Sequence, residues 1–210
     1  MRMVAVLAAA VYAVLWFGFA HGWGWIAAGD GSALQAAHGF GVHRPGWIGF
    51  WNVVSTVLSP TAMRIVAVVG IVAALLTRQR RTAAFLAVSV LGMALVIGSA
   101  KALADRPRPE TALTFATSSS FPSGHALGIM VAVLAFLTVL LPRLSRPVRV
   151  WAVVWGSAAV LAVGLARVVL NVHHPTDVLA GWALGYLWFL VCVRVVPPDR
   201  RLRDRRCATR

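Results

Sequence analysis

Residues 118–141 read SSSFPSGHALGIMVAVLAFLTVLL. A polar turn carrying Pro122, Ser123, Gly124 and His125 opens straight into an apolar run without a charge. A helix of about 20 apolar residues crosses the hydrocarbon core of a bilayer, so 124–141 reads as a spanning helix with a chemically loaded entrance. Outward from it, five more segments have the same character: 3–20, 60–76, 83–100, 150–166 and 178–196, none with an acidic residue. The fold class expected is all-α, an integral membrane bundle of six transmembrane helices, with short interfacial helices in the first outer loop.

Composition agrees. The chain has 210 residues, 60% hydrophobic and only 12% charged, with a mean hydropathy of +0.79. A soluble domain of this length could not hide so much apolar surface. The net charge of +14 does not indicate nucleic acid, because most of it lies in short clusters beside apolar runs and no basic–aromatic binding module accompanies it. Cys192, in an apolar run, and Cys207, in the basic tail, form neither a disulfide framework nor a metal cluster. The first segment reads as a retained helix, with a cleaved signal peptide as the alternative.

Arginine placement gives the sidedness expected. Arg2, the turn with Arg78, Arg80 and Arg81, the turn with Arg143, Arg146 and Arg149, and the tail from Arg194 fall on one side of six spans. By the positive-inside rule that side is cytoplasmic. The expected organisation is one membrane domain over 1–198 and a basic cytoplasmic tail over 199–210. The other cations, Arg44, Arg64, Lys101, Arg106, Arg108 and Arg167, fall on the opposite face or at its edge, as do all six histidines. The tryptophan-rich loop 21–59 reads as an aromatic belt at that interface, with substrate gating as the alternative.

Three short regions meet on this outer face: Lys101–Pro109, Pro122–His125 and Ala166–Asp177. Lys101, Arg108 and Arg167 have little negative charge nearby, an expensive arrangement at a membrane unless they hold an anion. Arginine's planar fork suits phosphate, and Ser123 and Gly124 sit at a helix start, where free N–H groups attract an oxyanion. His125 and His173 supply a proton donor and a nucleophile. Asp177, four residues after His173, can accept from one ring nitrogen and so present the other. His174 has no such partner by spacing. Arg106, His21, His38 and His43 read as interfacial anchors. Neighbouring cations disfavour a metal held by His125, His173 and Asp177, so no cofactor and no metal are expected.

The pattern Lys101-x6-Arg108-Pro109, Pro122-Ser123-Gly124-His125 and Arg167-x5-His173-x3-Asp177 resembles the type 2 phosphatidic acid phosphatase superfamily, which also includes vanadium haloperoxidases and class A acid phosphatases. The resemblance implies a phosphatase in which His173 attacks phosphorus, Asp177 supports it and His125 protonates the leaving oxygen. It also implies that Lys101, Arg108, Arg167, Ser123 and Gly124 hold the phosphate oxygens. One position departs from the pattern: Ala166 stands where the family usually has serine, so a hydroxyl contact is expected to be missing.

The expected function is metal-independent hydrolysis of a lipid phosphate or diphosphate at the outer face through a phosphohistidine. Phosphatidate, phosphatidylglycerol phosphate and a polyprenyl diphosphate all fit, and no obligate protein partner is implied. A phosphotransferase using the same site, and a non-catalytic lipid-phosphate binding or transport protein, are the alternatives. The compact layout fits a bacterial cytoplasmic membrane.

Overall fold

The computed structural model describes residues 2–199, and among them the secondary structure is helical throughout. The helices are α1 (Arg2–Ala20), α2 (Gly24–Gly41), α3 (Pro45–Val57), α4 (Pro60–Leu76), α5 (Arg80–Leu86), α6 (Met93–Ala104), α7 (Gly124–Leu140), α8 (Arg146–Val169) and α9 (Pro175–Val195). A π-helical turn at Ala87–Leu91 joins α5 to α6, and a 3₁₀ turn at Leu141–Arg143 follows α7. Six helical stretches are long and apolar enough to span: Arg2–Ala20, Pro45–Leu76, Arg80–Ala104, Gly124–Arg143, Arg146–Val169 and Pro175–Val195. Large apolar side chains such as Leu7, Val69, Leu95 and Trp155 are exposed around the bundle. That outer surface requires lipid as its solvent, and the protein is an integral membrane protein.

The helix boundaries have local causes. Pro45, Pro60 and Pro175 open α3, α4 and α9, where the missing N–H is an orphan anyway and φ is already set. Ser59 and Ser123 cap α4 and α7 by accepting from Ala62 N–H and Ala126 N–H. At the other ends, Arg78, Asp105 and Asn171 take positive φ of 58°, 41° and 55° and turn the chain out of α4, α6 and α8.

α7 is the central column, with Ala126, Leu127, Gly128, Ile129, Val131, Ala132 and Ala135 all buried. It packs with Phe85, Leu86, Val90, Met93, Phe189 and Leu190 in the main apolar cluster. α9 lies close against it because Gly181 and Gly185 face its backbone. A Cβ on Gly181 would lie 2.6 Å from the Ser123 carbonyl oxygen, and one on Gly185 would lie 2.8 Å from that of Leu127. Small residues four apart permit this approach between membrane helices. α1 closes the bundle against α9, with Leu15 beside Ala180 and Phe121. The widened π turn leaves the Ser89 carbonyl free to accept from Trp188 Nε1 at 3.0 Å.

Three features go beyond the sequence expectation. The second span is extended: α3 continues almost directly into α4, giving a 32-residue stretch that outruns the roughly 30 Å hydrocarbon core at about 1.5 Å per residue. α3 also packs on α8, burying Trp51 against Ala166, Val169 and Leu170. The first loop is therefore a wall of the bundle rather than a belt alone, although Trp25 remains exposed. Asp199, the first residue of the expected tail, folds back and accepts from Thr82 N–H and hydroxyl at 3.1 and 3.2 Å. The rest of that tail, with Cys207, lies outside the described residues.

Candidate active site

α4, α7 and α9 begin, and α6 and α8 end, at one end of the bundle. There the structure brings together most of the residues singled out in the sequence. Lys101, Arg108, Gly124, His125, Arg167 and His173 line one cavity of about 480 Å³. Asp177 lies directly behind His173 and is fully buried. Ser123 is also fully buried but is not part of the cavity lining; its hydroxyl is turned to Ala126 N–H at 3.5 Å as the α7 cap. The Gly124 and His125 N–H groups remain at the open first turn of α7. A Cβ on Gly124 would meet Ile97 at 3.2 Å and Lys101 Cε at 3.8 Å, so glycine keeps this turn close to the lysine.

The chain between α6 and α7 straps the site. Ser120 N–H donates to Arg106 O at 2.7 Å, and Ser123 N–H to Asp177 O at 2.9 Å. Lys101 Nζ donates to the Ser119 carbonyl. Arg108 donates to Ser118 O at 2.6 Å, to Val172 O at 2.5 Å and towards His173 Nε2 at 3.3 Å. An arginine can only donate, so Nε2 carries the lone pair and the ring proton sits on Nδ1. That proton faces Asp177 Oδ2 at 3.6 Å and Ser120 Oγ at 3.5 Å. Burial holds the His173 ring far below its ordinary value, at about 3, with Asp177 opposing the shift and Arg167 and Arg108 adding to it. The result is a neutral imidazole whose unprotonated nitrogen faces a cationic cavity.

Asp177 is held by more groups than its spacing from His173 indicated. Its Oδ2 accepts from Ser120 Oγ at 2.5 Å and His174 N at 2.8 Å, and lies 3.1 Å from His174 Nδ1. Its Oδ1 accepts from Arg106 Nη1 at 2.7 Å. His174 thus does have a partner, contrary to the spacing argument: it precedes α9 and forms a reciprocal cap with Asp177. Arg106 is not a headgroup anchor either. It is 8% exposed and bridges Asp177 to Asp30 of α2, which it meets at 2.8 Å. Asp30 also accepts from Thr176 N–H and hydroxyl at 3.0 and 2.6 Å. Sequence reasoning missed Asp30, Ser120 and Ser55. The signal for Asp30 was present: it is one of only six acidic residues, set among apolar ones.

Arg167 is 6% exposed; Nη1 donates to Ser55 Oγ at 2.8 Å, and Nε has no partner among the described residues. Ala166 is buried against Trp51 in an apolar cluster and does not line the cavity. His21, His38 and His43 lie outside the cavity lining. Among the described residues no cluster of three or more His, Cys, Asp or Glu suits a metal, and the charged side chains lining the cavity are lysine and arginine.

The fold and site together define a helical membrane protein with a carboxylate-backed histidine set against lysine and arginine side chains at one end of its bundle. Residues 82–201 match the sequence profile described as the PAP2 superfamily, and the chain belongs to that family. Phosphatidylglycerophosphatase B of Bacillus subtilis is 38% identical over 105 residues, 48% of this chain and 51% of that protein. Undecaprenyl-diphosphatase of Sulfolobus acidocaldarius is 38% identical over 69 residues, 33% of this chain and 30% of that protein. The matches thus span about half or less of these curated relatives. The crystal structure of a transmembrane PAP2-type phosphatidylglycerolphosphate phosphatase from Bacillus subtilis superposes with a TM-score of 0.73 at 26% identity, covering 95% of this chain and 98% of that one.

Proposed function

We propose that this protein is a lipid phosphate phosphatase that works through a phosphohistidine and without a metal. The observation that carries the reading is the single cavity in which His173 Nε2, His125 and the cations Lys101, Arg108 and Arg167 converge, with Asp177 behind. His173 Nε2 attacks phosphorus while Nδ1–H is held towards Asp177. His125 gives its proton to the departing lipid oxygen. It then takes a proton from water, which attacks the phosphohistidine and releases inorganic phosphate and neutral His173. Lys101, Arg108, Arg167 and the first N–H groups of α7 stabilise charge on the equatorial oxygens. Ser123 contributes by fixing the turn that aims those N–H groups.

The fixed cations take the electrostatic role that magnesium has in other phosphoryl transfers. The substrate is amphipathic, since the cavity opens at the end of a lipid-embedded bundle. The arginine turns at Arg78–Arg81 and Arg143–Arg149 mark the other end, which supports a cytoplasmic assignment for that end and an extracytoplasmic site. The test is phosphate release by purified protein in detergent with EDTA, from phosphatidate, phosphatidylglycerol phosphate and a polyprenyl diphosphate. Release by the wild type and none by His173→Ala supports the reading. No release from any of the three refutes it in favour of a binding or transport role.

A further inference from the structure

One cation of the cavity has no part in the chemistry above. Arg64 projects from the first turns of α4 and lines the same cavity as His173. Its side chain is half-buried, and among the described residues its Nε is buried without a partner and no acidic residue pairs with it. An arginine in a spanning segment is costly unless it is satisfied. Anchoring arginines reach outward to the headgroups, whereas this one borders the cavity. Asn52, Thr56 and Thr61 share its stretch of α3–α4 and add neutral polar groups to that wall. Lys101, Arg108 and Arg167 come from other elements and surround the attacking histidine. The cavity, at about 480 Å³, falls within the roughly 300–1,000 Å³ of small-molecule sites and exceeds what one phosphate of five heavy atoms fills.

We propose that Arg64, with the polar wall of α3–α4, forms a second anion subsite that receives a further phosphate of the substrate. The substrate class is then a lipid with two phosphates a short spacer apart. Either a diphosphate or a phosphomonoester joined through glycerol to a phosphodiester presents that chemistry. A lipid with a single phosphate leaves Arg64 unused. The proposal rests on the lipid-phosphate reading of the site, and its test separates the two.

Binding of inorganic pyrophosphate and of orthophosphate is measured by calorimetry on the purified protein, alongside turnover of a polyprenyl diphosphate, phosphatidylglycerol phosphate and phosphatidate. The wild type binds pyrophosphate about tenfold or more tighter than phosphate, as one added charge-assisted contact provides. Arg64→Gln removes that preference and leaves phosphate binding in place, which also shows that the variant is folded. Arg64→Lys keeps part of it. In turnover, Arg64→Gln lowers kcat/KM about tenfold for whichever two-phosphate lipid uses the subsite and leaves phosphatidate nearly unchanged, so the affected lipid identifies the source of the second phosphate. Equal loss for all lipids, or a pyrophosphate preference that is absent in the wild type or intact in Arg64→Gln, overturns the subsite. An Arg64-dependent pyrophosphate preference without any phosphate release supports the subsite while refuting hydrolysis.

Discussion

Replacing Arg106 by alanine separates two accounts of that residue sharply. As a headgroup anchor it would contribute about 0–1 kcal/mol, the range of exposed ion pairs. In the structure it bridges two buried carboxylates, Asp30 and Asp177, at 2.8 and 2.7 Å. Removing one partner from a buried ion pair costs about 3–5 kcal/mol. Asp30 would keep both Thr176 donors, and Asp177 would keep Ser120 and His174, so the low end, about 3 kcal/mol, is the expected loss. At about 2–4 °C per kcal/mol for a chain of this size, the melting temperature falls by about 6–12 °C. The nine tryptophans allow this to be followed by intrinsic fluorescence in detergent. Freed on its Oδ1 side, Asp177 aims His173 less well, and kcat/KM for lipid phosphate falls about a hundredfold, the cost of a misplacement of about 1 Å. Arg106→Lys restores charge but cannot fork across both carboxylates, and recovers only part of each loss. A melting temperature within about 2 °C of wild type in Arg106→Ala, with unchanged kcat/KM, refutes the bridging role.

Three further outcomes follow from the geometry. Gly181→Ala, which touches no cavity residue directly, pushes a Cβ onto the Ser123 carbonyl; it destabilises by about 1–3 kcal/mol in thermal melts and lowers activity by parting α7 from α9. Ala166→Ser places a hydroxyl in the apolar cluster with Trp51, so kcat/KM does not rise and the melting temperature falls slightly; a marked gain would mean that this position does reach the phosphate. His173, held at about 3 by burial, stays neutral in the native state while its unfolded counterpart protonates near its ordinary value. Its contribution to stability is therefore fully present above about pH 6.5 and declines as pH falls towards 3, by roughly 1 kcal/mol per unit. Melting temperature against pH should fall less steeply on the acid side in His173→Gln than in the wild type.

The six spans and the histidine–cation constellation were legible because each depends on a local signal. Spans show as uninterrupted apolar length, and Lys101, Arg108, His125, Arg167 and His173 occur in short motifs at helix ends. Topology alone brings those ends to one face. Three things were not legible, because no local periodicity encodes them. Asp30 and Arg106 are 76 residues apart in sequence, and only the fold of α2 over the start of α9 pairs them. Ser55 meets Arg167 across 112 residues because α3 packs on α8, which the tryptophan content of that loop disguised as an interfacial belt. Spacing gave His174 no partner, since the cap it forms with Asp177 depends on the turn geometry before Pro175. Ser123 and Ala166 illustrate the reverse case: the motif places both next to residues proposed to hold phosphate, while Ser123 caps α7 and Ala166 is buried behind the cavity wall.

The central claim is that His173 is the nucleophile. Its most direct test is to quench the purified protein in base during turnover of a lipid labelled in its terminal phosphate, with EDTA present, and to locate the label by digestion and mass spectrometry. The account predicts base-stable, acid-labile phosphate on His173, absent from His173→Gln. Steady phosphate release with no labelled residue, or with label on another side chain, would contradict it.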